Sequence, residues 1–135
     1  MNRSIRVIVG DDDANDRFFL QRAFQKIYPD VTVDIARNGE EVIHFLKNDS
    51  QPVPSLLLID SMMTKINGFD VLEWLRPQKQ FQQLPVVMLT GQLSDANATR
   101  AREYGVKAYL TKPEDMTGLE ALVKDLGEKF LKSAS

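Results

Sequence analysis

Short apolar runs alternate with segments of helical period from residue 5 to residue 130, the rhythm of a chain built from βα units. Five runs read as strands: Ile5 to Val9, Val31 to Ile35, Leu56 to Ile59, Val86 to Leu89 and Val106 to Leu110. The third and fourth are apolar without alternation, as a parallel sheet covered by helices on both faces requires. Between the strands, Leu20, Ala23, Phe24 and Ile27 form an i, i+3, i+4, i+7 stripe, and Val42, Phe45 and Leu46 form a shorter one. Asn38 with Glu41 resembles a capping pair at the start of the second helix. Val71, Leu72 and Leu75 make a third stripe that Pro77 should stop, since its ring cannot continue a helix. Leu119, Leu122, Val123, Leu126 and Phe130 make the last. The fourth helix, roughly Asp95 to Tyr104 before Gly105, offers mainly Ala98, Ala101 and Tyr104, so it should be the least firmly anchored. The pattern predicts an α/β fold, a doubly wound three-layer sandwich.

Composition narrows the chemistry. The 135 residues fit one domain, with a core of about 4–131, no linker and no room for an output domain after Phe130. With no cysteine and one histidine, His44, thiolate chemistry and clustered Cys/His metal sites are excluded on supply, and any metal must be hard and oxygen-bound. The net charge is −2 without a basic block, which argues against nucleic acid or an anionic membrane as partner. The first residues lead straight into an Ile/Val run rather than an apolar signal segment, and nothing approaches transmembrane length. A cytoplasmic protein is expected.

In doubly wound sheets ligands sit at the carboxyl ends of the strands, so polar residues there carry the functional reading. The first strand ends at Asp11, Asp12 and Asp13, the third at Asp60, the fourth at Thr90, and the fifth at Thr111 and Lys112. Carboxylates so close together repel unless protonated or neutralised by a cation, and magnesium, which takes a few carboxylate oxygens and keeps waters, is the expected cofactor. A carboxylate beside that ion can attack phosphorus, giving an aspartyl phosphate. Lys112 and the Thr90 hydroxyl would meet the incoming phosphoryl oxygens.

Each of these residues has a plainer reading. Asp13 is expected to be a helix N-cap rather than a ligand. Asp11, Asp13 and Asn15 are spaced like the start of a calcium loop, but Asp16 stands where that loop needs glycine and Arg22 where it needs glutamate. Asp60 alone could be a solvated strand end, Lys112 a surface lysine, Thr90 a strand terminator and Tyr109 an ordinary half-buried aromatic; their company favours the functional reading. His44, among Val42, Ile43 and Phe45, reads as structural, and Trp74 as a packing or partner contact.

The fragments V-I-V-G-D-D-D-A-N-D, L-L-L-I-D-S-M-M-T-K-I-N-G-F, P-V-V-M-L-T-G and A-Y-L-T-K-P, in this order and spacing, resemble the receiver family of two-component signalling over essentially the whole chain. The resemblance implies a five-stranded parallel, flavodoxin-like (βα)5 sandwich with strand order 2-1-3-4-5. It also implies transfer to Asp60 from a phosphohistidine on a histidine kinase or histidine phosphotransfer protein, with metal held by Asp11, Asp12, Asp60 and the Met62 backbone carbonyl. Thr90 and Tyr109 match the family's switch positions, whose movement reshapes the face of helix 4, strand 5 and helix 5 for a downstream target protein. A cis Lys112–Pro113 peptide is implied as well, as is a monomer or phosphorylation-dependent homodimer. The F-F-L-Q-R-A-F helix resembles receivers associated with phytochrome-type kinases.

Departures from the family pattern are informative. Thr64 stands where a proline is usual and Asn67 where an acidic residue is common, so the loop after Asp60 is expected to be looser. Met62 and Gln92 occupy the positions that tune dephosphorylation, and methionine cannot orient water by a strong hydrogen bond. One rival is a haloacid-dehalogenase-type phosphatase, but that chemistry needs a second aspartate as general acid where Met62 stands. A flavodoxin-like cofactor carrier needs a phosphate loop that the acidic first turn would repel. A receiver acting by contact alone, without phosphorylation, is the third.

Overall fold

Both faces of every central strand are apolar, and this decides the layering. In the computed structural model, which describes residues 5–48 and 50–131, Ile8, Leu57, Ile59, Val86 and Met88 bury in one cluster, and Val7, Val9, Leu56, Leu58, Val87 and Leu89 in the other. Successive strand side chains point to opposite faces, so each face needs its own cover of helices. The ends of the expected domain, 1–4 and 132–135, lie outside the described residues.

The elements run β1 (Arg6–Gly10), α1 (Ala14–Ile27), β2 (Thr32–Ala36), α2 (Gly39–Leu46), β3 (Leu56–Asp60), α3 (Gly68–Leu75), β4 (Val86–Thr90), α4 (Asp95–Glu103), β5 (Ala108–Thr111) and α5 (Met116–Phe130), with a 3-10 turn at Lys79–Phe81. The sheet is parallel throughout in the order β2-β1-β3-β4-β5, as expected. Leu20, Ala23 and Phe24 of α1 and Leu119, Val123 and Leu126 of α5 cover one face. Val42 and Leu46 of α2, Phe69, Val71, Leu72 and Leu75 of α3 and Ala101 of α4 belong to the other. Each fully buried side chain of this size contributes roughly 1.5–3 kcal/mol.

Helix α3 stops at Leu75 with Arg76 as its C-cap, one residue before Pro77. Helix α4 buries only Ala101 along its length. Its C-terminal end is held by Arg76, whose guanidinium donates to the carbonyls of Tyr104 and, in the α3–β4 connection, Phe81 and Leu84. The Arg100 guanidinium lies 4.1 Å from the Phe69 ring centroid. On β1, next to the edge strand β2, Arg6 is 3% exposed and bonds Asp34, the Pro52 carbonyl and the Phe45 carbonyl. Among the described residues no helix is long and apolar enough to cross a membrane.

Several local expectations are corrected. The fifth strand starts at Ala108 rather than Val106, because the Val106 amide closes the end of α4 by donating to the Ala101 carbonyl. Asn38 does cap α2 by accepting from the Glu41 amide, but the Glu41 carboxylate turns to the Arg37 amide and guanidinium, so the pair is not reciprocal. The reciprocal capping box lies instead at Asn67 and Asp70. His44 is exposed on α2 with its ring edge-on to Phe45, centroids 6.1 Å apart, and belongs to no cluster of metal-ligating side chains among the described residues. Trp74 is partly buried and packs on Phe81, ring centroids 5.9 Å apart. No cis peptide occurs among the described residues, so Lys112–Pro113 is trans; the isomers before proline differ by only about 0.5–1 kcal/mol, too little for sequence to decide.

Candidate functional site

The site is built where β1, β3 and β5 end. Strand β1 is extended to Gly10, and Asp11 follows directly, with its amide donating to the Ala36 carbonyl of β2. Its carboxylate is buried, accepting from the Asp13 amide at 2.9 Å and pairing with Lys112 at 3.0 Å. Asp12 stands exposed beside it. Asp13 turns away to cap α1, accepting from the amides of Asn15 and Asp16, and those donors hold its pKa below the ordinary carboxylate value.

Asp60 is the last residue of β3 and is 6% exposed. One carboxylate oxygen accepts from the Met62 amide at 3.0 Å and the other from Lys112 Nζ at 2.8 Å. One oxygen from each of Asp11, Asp12 and Asp60 fits within a 4.8 Å cluster. These are hard, anionic donors of the kind that hold magnesium, calcium or manganese. Asp11, Asp12, Asp60 and Lys112 therefore come together, across 101 positions of chain from Asp11 to Lys112.

Burial sets the electrostatics. It pushes the Asp11 carboxyl up to about 6, against the lowering pull of the Asp13 amide and Lys112. Burial alone would lower the Lys112 pKa, but the hydrogen bonds it donates to Asp16, Asp60 and Asp11 outweigh it and hold the ammonium above the ordinary lysine value. Lys112 is thus a firmly charged group shared by three carboxylates.

The loop after Asp60 folds back tightly. A Cβ on Gly68 would come 2.5 Å from the Asp60 carbonyl oxygen, and the Gly68 amide donates to the Ser61 carbonyl. Met63 is buried, Ile66 packs on the core, and Asn67 caps α3. Asn67, read as a loosening departure, is therefore an anchor, while Lys65 sits at φ 65°, a left-handed conformation that costs a non-glycine residue roughly 1 kcal/mol. The Met62 side chain is 65% exposed. Thr90 is buried at the end of β4, with its hydroxyl donating to the Gln92 carbonyl at 3.2 Å. The Tyr109 hydroxyl accepts from the Ser94 amide at 3.4 Å, touching the N-cap of α4.

Asp16 was missed. It lies one turn into α1, and its carboxylate meets Lys112 Nζ at 2.8 Å. A fourth aspartate within six residues of the β1 terminus was the available signal.

A sequence model described as the response regulator receiver domain matches residues 7–124. The chain belongs to the response regulator receiver domain family. Among curated relatives of this receiver, response regulator Rre1 of Synechocystis sp. is 34% identical over 126 residues, covering 93% of this chain and 53% of Rre1. The receiver thus spans about half the length of that relative. The probable methanogenesis regulatory protein FilR2 of Methanothrix harundinacea is 27% identical over 130 residues, 94% of this chain and 83% of FilR2. Among solved structures, the phosphorylated cyanobacterial phytochrome response regulator RcpA superposes with a TM-score of 0.88 at 23% identity, covering 98% of each chain. The Mn(2+)-bound form of response regulator Rcp1 gives 0.84 at 24% identity over 97% of each. At these identities the structural likeness establishes the shared fold of the receiver.

Proposed function

We propose that this receiver is a phosphorylation switch in which Asp60 accepts a phosphoryl group from the phosphohistidine of a histidine kinase or phosphotransfer protein. The observation that carries this reading is the Asp60 carboxylate, nearly buried at the strand rim, paired with Lys112 and within 4.8 Å of oxygens of Asp11 and Asp12. A carboxylate oxygen attacks phosphorus, the P–N bond to the donor imidazole breaks, and the acyl phosphate remains on β3. Lys112 pairs with the phosphoryl oxygens, and Thr90 donates to one of them.

Asp11, Asp12, Asp60 and the Met62 carbonyl would hold magnesium, whose charge offsets the repulsion between the carboxylates and the incoming phosphoryl group. Two solved relatives in fold are described as phosphorylated and as Mn(2+)-bound. Exposed Phe19 beside Asp11, and exposed Met62 and Leu93 beside Asp60, give a donor protein apolar contacts around the acceptor. Movement of Thr90 and Tyr109 then displaces α4, whose single buried residue makes it the cheapest helix to shift, and exposes the α4–β5–α5 face to a target.

Incubation with a small phosphodonor should add one phosphoryl mass to the intact protein only with magnesium present, and Asp60→Asn should abolish the gain. An equal gain in that variant would mean the acceptor is misassigned. Gln92 is exposed and lines the same cleft as Asp60, Met62 and Thr90, and its amide can orient an attacking water where methionine cannot. Phosphoryl loss from Gln92→Ala should therefore slow by roughly two- to tenfold, the scale of one hydrogen bond, while Met62→Ala changes it less. An unchanged decay rate in Gln92→Ala would contradict that assignment.

A further inference from the structure

Lys112 has three N–H donors and three carboxylate partners: Asp16 at 2.8 Å, Asp60 at 2.8 Å and Asp11 at 3.0 Å. Two of these, Asp11 and Asp60, belong to the group of oxygens within 4.8 Å of one another; the third does not. Asp16 reaches the ammonium from α1, three residues beyond the N-cap Asp13, so the start of that helix sets its position. A cavity of about 240 Å³ lined by Asp11, Asp16, Leu89, Lys112 and Leu119 borders the pair. The lysine therefore has room to move and is not wedged by packing.

We propose that Asp16 is a positioning residue for Lys112: it draws the ammonium toward α1, so that the oxygens of Asp11, Asp12 and Asp60 stay open to a divalent cation. Without it, the ammonium has only Asp11 and Asp60 to satisfy it. It then settles more fully on those oxygens and competes with the metal for their lone pairs. This rests on the metal-dependent reading above.

The test is calorimetric titration of magnesium into the full chain at neutral pH, for wild type, Asp16→Asn, Asp16→Glu, Lys112→Met and the Asp16→Asn/Lys112→Met pair. Asp16→Asn should weaken magnesium binding by roughly three- to tenfold, the scale of one partly screened charge near a divalent ion. Asp16→Glu, which keeps the carboxylate, should restore most of the affinity. In the Lys112→Met background the Asp16→Asn effect should disappear, because a positioning residue has nothing left to position. An Asp16→Asn affinity equal to wild type would overturn the inference. So would an equal loss in both backgrounds, since Asp16 would then act only as a nearby negative charge. Absence of saturable binding to the wild type would instead sink the metal-dependent reading and this inference with it.

Discussion

Asp11→Asn is expected to stabilise the metal-free protein at pH 7 by about 1–3 kcal/mol and, in the same molecule, to remove the stabilisation that magnesium confers. The folded-state pKa of Asp11 is about 6 against an ordinary value of 3.8, because burial disfavours its charge. Between those two values the folded state holds a proton that the unfolded chain has released. Stability contributed by this group is therefore complete below about pH 4 and falls as pH rises through about 6. At neutral pH the full penalty applies, and the rise from 3.8 to about 6 corresponds to roughly 3 kcal/mol at most. Asparagine keeps an oxygen to accept from the Asp13 amide and carries no charge to desolvate, while Lys112 retains Asp16 and Asp60. Urea unfolding in a chelator at pH 7 and pH 4.5 isolates the effect as the difference between variant and wild type, which should shrink at the lower pH. A variant less stable than wild type at pH 7 would show that the lost Lys112 pair outweighs the relieved burial. Since ligands that bind only the folded state stabilise it, wild type should gain from added magnesium and Asp11→Asn should not.

Arg6→Met is expected to cost about 3–5 kcal/mol. The Arg6 side chain is 3% exposed and its guanidinium makes three bonds, to Asp34 at 2.8 Å, Pro52 O at 3.0 Å and Phe45 O at 3.1 Å. These tie β1 to β2, to the last turn of α2 and to the connection before β3. Methionine fills similar volume but leaves a carboxylate and two carbonyls short of a donor, and unpaired buried acceptors carry the desolvation cost in full. Asp34 is 27% exposed and can recruit water, which places the expected value toward the lower end. A fall in the urea midpoint without a change in slope would report it. Replacing Asp34 by Asn in the Arg6→Met background should recover part of the loss, because the stranded charge is then removed. A cost under about 1 kcal/mol would mean that water serves these acceptors as well as the guanidinium does.

The two changes show why a functional site and a structural clamp look different. Both involve buried charge, but Arg6 is surrounded by acceptors that satisfy it, whereas Asp11 shares one lysine with two other carboxylates. The first arrangement is stable as it stands. The second is left under-compensated, which is the condition a cation-dependent site requires.

Much of the molecule followed from its linear pattern. The period-2 strands with two apolar faces dictated helices on both sides of a parallel sheet, and their order along the chain placed Asp11, Asp12, Asp60, Thr90 and Lys112 at strand termini. Those inferences needed only the direction of side chains and the rule that ligands meet the carboxyl ends. What no local pattern could reveal was pairing between distant segments. Arg6 reads as an interruption in an apolar run until β2 and the residue 51–55 loop surround it. Asp16 reads as one more first-turn acid until β5 brings Lys112 across the sheet to meet it. Side-chain direction is a property of a residue and its neighbours in sequence; which charge it meets, and whether water can reach the pair, is decided only when strands far apart in the chain are laid side by side.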